Sequence, residues 1–277
     1  VQALELVADW PGAIHAVAVI DLACEPPEVL GTVGDVDVEL EWASITKLAT
    51  AHAALALCDE GIVSLDDIST SWGATLAQLL SHAGGTAPGR PEPLCQPGTR
   101  RIYSSAGYEL VGAHLERSTG LAITTVLAEA VLDPLGLERT RLQGTAGAGM
   151  VGPLDDLVRL LSELSHPALL DEASGLAERS PSQPTLAGVL PGFGSFDPCE
   201  WGLGPEVKGG KFPHWTPPSF GPTSFGHFGQ AGGFAVIEPT LEIGVCSLSD
   251  VAFGTWAAQG WPRLLDAVVA EIADTRR

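Results

Sequence analysis

Two stretches near the start of the chain, HAVAVIDLA (15–23) and VLGTVGDVDVELEWA (29–43), are dense in Val and Ile and flank Glu25, Pro26, Pro27 and Glu28. They predict an opening pair of strands. In SITKLATAHAALALCDEGIVSLDD (44–67) the apolar positions recur at helical spacing, and Gly61 stands where a helix would stop. From about 70 to 145 short helical stretches alternate with Gly/Pro loops. LDDLVRLLSELS (154–165) has the stripe of an amphipathic helix, with Pro153 at its entrance and Asp155 and Asp156 in its first turn. Pro and Gly dominate 180–225, but interspersed Trp and Phe predict extended strands and substrate-side loops rather than disorder. FAVIEP and LEIGVCSLS then form an antiparallel hairpin turning near Pro239 and Thr240, and a helix from Trp256 closes the chain.

Strands, helices, strands and a last helix, in that order, predict an α+β fold. An antiparallel sheet is built from both chain ends and flanked by helices, with a mainly helical subdomain inserted. We expect one domain over 1–277, its sheet part at about 1–50 and 200–277 and its helical part at about 51–199. The 277 residues are 45% hydrophobic, enough for a sizeable core. A formal charge of −20 repels nucleic-acid phosphates and anionic lipid heads, so neither is an expected partner. No apolar run reaches about 18 residues, so no membrane span is expected. The five cysteines are odd in number and form no CxxC pair, which fits free thiols in a reducing compartment. With no basic segment ahead of an apolar one at the N-terminus, a cytoplasmic location is the default unless a secretion leader has been removed. His15, His52, His82, His114 and His166 lack ligand spacing, and no Gly-rich loop leads into a Lys and a helix. No metal and no cofactor are expected, and composition leaves the oligomeric state open.

Chemistry enters at Ser44 and Lys47. A serine hydroxyl needs a base within hydrogen-bond reach, and residues three apart on a helix share a face. The helix N-terminus favours the alkoxide, and burial would lower the lysine pKa toward a usable base. Taken alone, the pair also fits an N-cap serine and a snorkelling lysine. Against that, lysine is rare (Lys47, Lys208 and Lys211 only), and Lys47 is the sole cation of a long apolar helix. In PGTRRIYSSAGYELVG (97–112), Tyr103 could relay a proton to a leaving group, and Ser105 could bond Lys47 or a substrate carbonyl. In HFGQAGGFAVIEP (227–239), His227 and small residues including Gly229 precede a strand, where a substrate could lie against the strand edge. The Gln230 amide could pair with that of Ser44 as an oxyanion hole. His82, in LLSHAGG, reads as a loop-fixing residue.

SITK, YSS and HFG, in that order, resemble the three active-site motifs of the serine β-lactamase and penicillin-binding protein superfamily. The branch they are most similar to holds class C β-lactamases, DD-peptidases and family VIII carboxylesterases. LLSHAGG, VLDPLGLERT (131–140), WGLGPEV (201–207) and GHFGQAGG (226–233) extend the likeness along nearly the whole chain. The resemblance implies Ser44 as the acylated nucleophile, Lys47 as its general base and Tyr103 as proton shuttle. It further implies the Ser44 and Gln230 amides as oxyanion hole, and His227 in place of the third-motif cation.

Three departures shape the expected substrate. Ser105 replaces Asn and keeps only one of its hydrogen-bonding ends. Phe228 stands where a hydroxyl often binds a substrate carboxylate. The short insert between Tyr103 and His227 implies an open or differently shaped cleft wall. Within the small-molecule ester, amide or peptide-like substrates that the resemblance implies, they point toward esters or small amides, with Phe228 and the loop residues Phe212, His214, Trp215, Phe220 and Phe225 as a candidate apolar acyl pocket. The leading reading is a carboxylesterase-like serine hydrolase. A DD-carboxypeptidase or weak β-lactamase is the alternative within the superfamily, and a catalytically inactive ligand-binding protein the alternative outside enzymes. Sequence does not separate hydrolase from transacylase.

Overall fold

The computed structural model describes residues 1–276. Its main sheet has six antiparallel strands. In chain order the strands of the fold are β1 (His15–Asp21), β2 (Glu28–Val33), β3 (Leu40–Glu41), β4 (Arg101–Ile102), β5 (Arg141–Leu142) and β6 (Met150–Gly152). They continue with β7 (Gly188–Leu190), β8 (Gly194–Phe196), β9 (Glu206–Val207), β10 (Phe225–Phe228), β11 (Phe234–Glu238) and β12 (Ile243–Ser249). The main sheet runs β2-β1-β12-β11-β10-β9, so β1 of the N-terminal hairpin pairs with β12 near the other end of the chain, His15 opposite Ser249 and Asp21 opposite Ile243. This is the sheet built from both chain ends that the sequence predicts.

The helices are α1 (Thr46–Asp59), α2 (Leu76–Leu80), α3 (Ser105–Thr119), α4 (Ile123–Leu127), α5 (Leu154–Ser165), α6 (Glu172–Arg179) and α7 (Thr255–Thr275). Strand alternation sorts the core into two faces. Val17, Val19, Phe234, Val236 and Val245 pack on α7 and the N-terminal 3-10 helix 2–9. Ala16, Ala18, Ile20, Ala235, Ile237, Cys246 and Leu248 pack on α1 and α5. A third cluster joins α1 to α2, α3 and α4. Helix α1 is therefore wrapped on every side, and Thr46 to Leu57 are all buried. That is why its sequence lacks a polar face. No helix among the described residues is long and apolar enough to cross a membrane.

One expected strand breaks. The 29–43 stretch ends as β2 at Val33, where Gly34 takes φ 81° and a Cβ would collide with the His15 carbonyl. Asp35 Oδ1 then accepts the Asp37 amide at 3.0 Å, turning the chain before Leu40–Glu41 resumes against β6. Elsewhere α1 stops at Asp59, with Gly61 just past it at φ 71°.

Helix α1 is cross-tied by a buried charge group. His52 lies between Glu178 of α6, at 3.1 Å from Nδ1, and Glu163 of α5, at 3.2 Å from Nε2. Burial opposes the imidazolium, but the two carboxylates outweigh it and push its pKa up to about 9. A raised folded pKa contributes stability that is full below the unfolded value of 6.5 and lost as pH rises through about 9. Wild type is therefore more stable than His52→Gln at pH 7 by an amount that shrinks toward pH 10, by roughly 3 kcal/mol. Urea denaturation of both proteins at a series of pH values checks this. The difference between the two is what counts, because Lys47 titrates in the same window.

Candidate active site

Four chain segments meet at Ser44. The first is the turn before α1. Ala43 holds a left-handed φ of 45°, and residues 43–45 form one 3-10 turn that runs straight into the helix. One turn on, Lys47 is 0% exposed. Its Nζ lies 3.0 Å from Ser44 Oγ, 3.2 Å from Ser105 Oγ and 2.6 Å from the Gly147 carbonyl. Segment 146–150 is held there by Thr50 Oγ1, which donates to the Ala146 carbonyl, and Thr46 Oγ1, which accepts the Met150 amide. Burial brings the Lys47 pKa from 10.5 down to about 7, against a small opposing pull from Glu109.

The second segment carries Tyr103, whose hydroxyl lies 2.6 Å from Ser44 Oγ, on a side of that oxygen the lysine leaves free. Burial raises the phenol's pKa, so it is a proton donor and not a resting base. Its placement depends on neighbours. Arg101 is buried and donates to the carbonyls of Ser81, Ser182, Gln183 and Cys199, tying β4 to two loops. His82 accepts the Ser104 amide on Nδ1 at 3.2 Å and packs its ring 4.6 Å from that of Tyr103, the loop-fixing part expected of it. Ser104 caps α3 by accepting the Gly107 amide. Ser105, the next residue, thus starts the helix with its hydroxyl at the lysine.

The third segment is β10 with its turn. His227 is buried beside Tyr103 and Trp201, with ring centroids 5.8 and 5.7 Å away. Burial, reinforced by the nearby Lys47, drives its pKa down to about 3. The imidazole that stands in place of the third-motif cation is therefore neutral. At Gly229 a Cβ would overlap the Trp42 carbonyl, so its bareness lets the β10–β11 turn close on the Ser44 turn. This brings Gln230 to Ser44. Neither the Ser44 nor the Gln230 amide donates to an acceptor among the described residues, as two oxyanion donors require.

The fourth segment is the wall. A cavity of about 170 Å³ is lined by Ser44, Tyr103, Ser105, His227, Phe228 and Gln230, and closed by Leu190, Pro191, Trp201 and Glu206. The turn after β7 thus supplies the wall that the short insert left in question. The expected aromatic pocket is redrawn. Phe212 is 77% exposed, Phe220 lies in the core beneath α7, and Phe225 faces α1 and α5. Of the expected rings Phe228 does line the cavity, joined by Trp201, with Phe193 and Phe253 behind Phe228 at 6.0 and 4.9 Å between centroids.

Sequence reasoning missed Glu206. Its carboxylate is buried and accepts from His214 Nε2 at 3.0 Å and Trp215 Nε1 at 2.6 Å, with Lys211 Nζ at 3.3 Å. Burial works against its charge, but His214 and Lys211 prevail and hold its pKa at about 2. The scarcity of lysine was the available signal, since Lys211 is as deeply enclosed as Lys47.

A family model described as Beta-lactamase matches residues 39–270. The chain is similar to a beta-lactamase from Mycobacterium bovis, with 38% identity, a TM-score of 0.94 and coverage of 98% of this chain and 99% of that one. It is also similar to the octameric penicillin-binding protein homologue from Pyrococcus abyssi (18% identity, TM-score 0.75, 97% and 75% covered). A further likeness is to EstCE1, a hydrolase with promiscuous acyltransferase activity (18% identity, TM-score 0.78, 96% and 96% covered). At such identities these last two speak for the fold alone. No curated protein matches the chain.

With a pKa of about 7, the Lys47 amine beside Ser44 Oγ sheds its proton as pH rises through neutrality. The rate at which a fluorophosphonate labels Ser44 should fall about tenfold per pH unit below about 7 and level off above it. Lys47→Met should remove the labelling at every pH. Stopped-time gels across pH 5–9 read both outcomes.

Proposed function

The chain belongs to the beta-lactamase family, and on that premise we propose a hydrolase that forms an acyl-enzyme on Ser44, with Lys47 as general base, from small esters or amides. One observation carries the reading: Ser44 Oγ sits between a lysine amine at 3.0 Å and a tyrosine hydroxyl at 2.6 Å. At neutral pH a substantial share of Lys47 is unprotonated and can take the serine proton as Oγ attacks the carbonyl carbon. The oxyanion that forms is held by the Ser44 and Gln230 amides. As the tetrahedral intermediate collapses, Tyr103 gives its proton to the departing oxygen or nitrogen and is reprotonated from the lysine ammonium. Water then enters where the leaving group stood, and the same pair of residues removes its proton to free Ser44.

The cavity supports an ester or small amide over a carboxylate-bearing lactam or peptide end. No Lys or Arg is among the residues lining it, His227 is neutral, and Phe228 supplies no hydroxyl. The cavity is small, about 170 Å³, and closed by Leu190, Pro191 and Trp201. That favours short acyl chains.

The expected outcome is hydrolysis of p-nitrophenyl butyrate that drops at least 10⁴-fold in Ser44→Ala, with little or no labelling by a fluorescent penicillin. Strong penicillin labelling lost in Ser44→Ala would favour a DD-carboxypeptidase or weak β-lactamase. Ester hydrolysis undiminished in Ser44→Ala would overturn the reading.

A further inference from the structure

The residues that line the cavity include two whose side chains carry hydrogen-bond acceptors, His227 and Glu206, and no Lys or Arg. His227 is 3% exposed, and its Nδ1 lies 2.7 Å from the Phe228 carbonyl. A carbonyl oxygen only accepts, so Nδ1 carries the ring's hydrogen and Nε2 is left as a bare lone pair. Nε2 is buried and has no hydrogen-bond partner among the described residues, although His227 lines the cavity. The second acceptor-bearing side chain is Glu206, which is among the residues that line the same cavity. The groups that neutralise Glu206, namely Lys211, His214 and Trp215, stand behind it and do not line the cavity.

A buried acceptor left unmade is costly, so a ligand gains by bringing a donor to it. A ligand carboxylate would have the opposite fate. It would shed its hydration and meet a lone pair and a second carboxylate. The half of the substrate concerned is the acyl half. It stays bonded to Ser44 after the first step and must fit the enclosed space, whereas the leaving group has to depart to solvent.

We propose that the acyl pocket is a donor-selecting subsite, in which His227 Nε2, backed by Glu206, prefers short acyl groups carrying a hydroxyl or amino group near the carbonyl and rejects acyl groups carrying a carboxylate. This rests on the acyl-enzyme reading above. A 3-hydroxybutyryl group is short and carries such a donor near its carbonyl.

The test compares kcat/KM for p-nitrophenyl esters of butyrate, 3-hydroxybutyrate, 3-methoxybutyrate and the hemisuccinate. The expected result is a 3-hydroxybutyrate to 3-methoxybutyrate ratio of about ten or more, with the hemisuccinate slowest. In His227→Leu that ratio collapses toward one, and in His227→Gln, whose amide oxygen can still accept, it is partly restored. Equal rates for the hydroxy and methoxy esters in wild type would overturn the proposal, as would an unchanged ratio in His227→Leu or a preference for the hemisuccinate. If His227→Leu does not fold, the wild-type series and His227→Gln decide. Ser44-dependent hydrolysis of butyrate without donor preference defeats this inference alone, whereas failure to turn over any of the four esters defeats the acyl-enzyme reading beneath it.

Discussion

The molecule is organised around the enclosure of one amine. Lys47 lies on a helix with no solvent face, and desolvation alone brings its pKa to about 7. Water at that nitrogen would restore an ordinary ammonium and remove the base. The sheet on one side of α1 and helices α2–α4 on another are what keep water out. The enclosure has a thermodynamic cost. An amine that binds its proton more weakly when folded than when unfolded lowers stability at every pH below its unfolded value, here 10.5. At neutral pH the penalty is on the order of a few kcal/mol, comparable to losing a buried side chain. The His52 group, one and a half turns along the same helix, works the other way, since it binds its proton more tightly in the folded state. Helix α1 thus carries a destabilising titration at its working end and a stabilising one further along.

The remaining site residues reach Ser44 because the backbone is bared or tied at particular points. Gly229 lets the β10–β11 turn approach the Trp42 carbonyl, which sets Gln230 beside the nucleophile. Arg101 gathers carbonyls from residues 81, 182, 183 and 199, so a single buried guanidinium joins the loop before Tyr103 to the loop behind the cavity. None of these residues takes part in the chemistry proposed for the site. They fix the distances that the chemistry needs, and a shift of an ångström at either would separate Tyr103 or Gln230 from Ser44.

What could be read from the sequence was whatever a linear spacing encodes. Ser44 and Lys47 are one helical turn apart, the β11–β12 hairpin has its alternation and its turn, and helix 154–165 has its stripe. What could not be read depended on groups meeting across loops. VDVELEW alternates as well as any strand, yet Gly34 and the Asp35 side chain turn the chain first. The aromatic residues of 212–225 looked like a pocket because composition records how many rings there are and not which way they face. Phe220 and Phe225 ended on opposite faces of the sheet, whereas Phe228, also expected at the pocket, does line the cavity, beside Trp201, which was not expected there. The charge of His227 was likewise not legible, because a residue type fixes a reference pKa while burial and the neighbouring Lys47 move it.

The lysines show how far the surroundings govern charge in this protein. A chain with a formal charge of −20 has only three, and all three are buried. Lys208 donates to the carbonyls of Pro217 and Phe220, Lys211 to those of Glu200 and Val207, and Lys47 to that of Gly147. Each ammonium is thus solvated by backbone, but only Lys211 also has a carboxylate within salt-bridge distance. That carboxylate, Glu206, keeps its own charge as a result and turns an acceptor toward the cavity. Lys47, without such a partner, loses its proton near neutrality. The same residue type therefore faces a carboxylate at position 211 and none at position 47, where burial brings its pKa down to about 7.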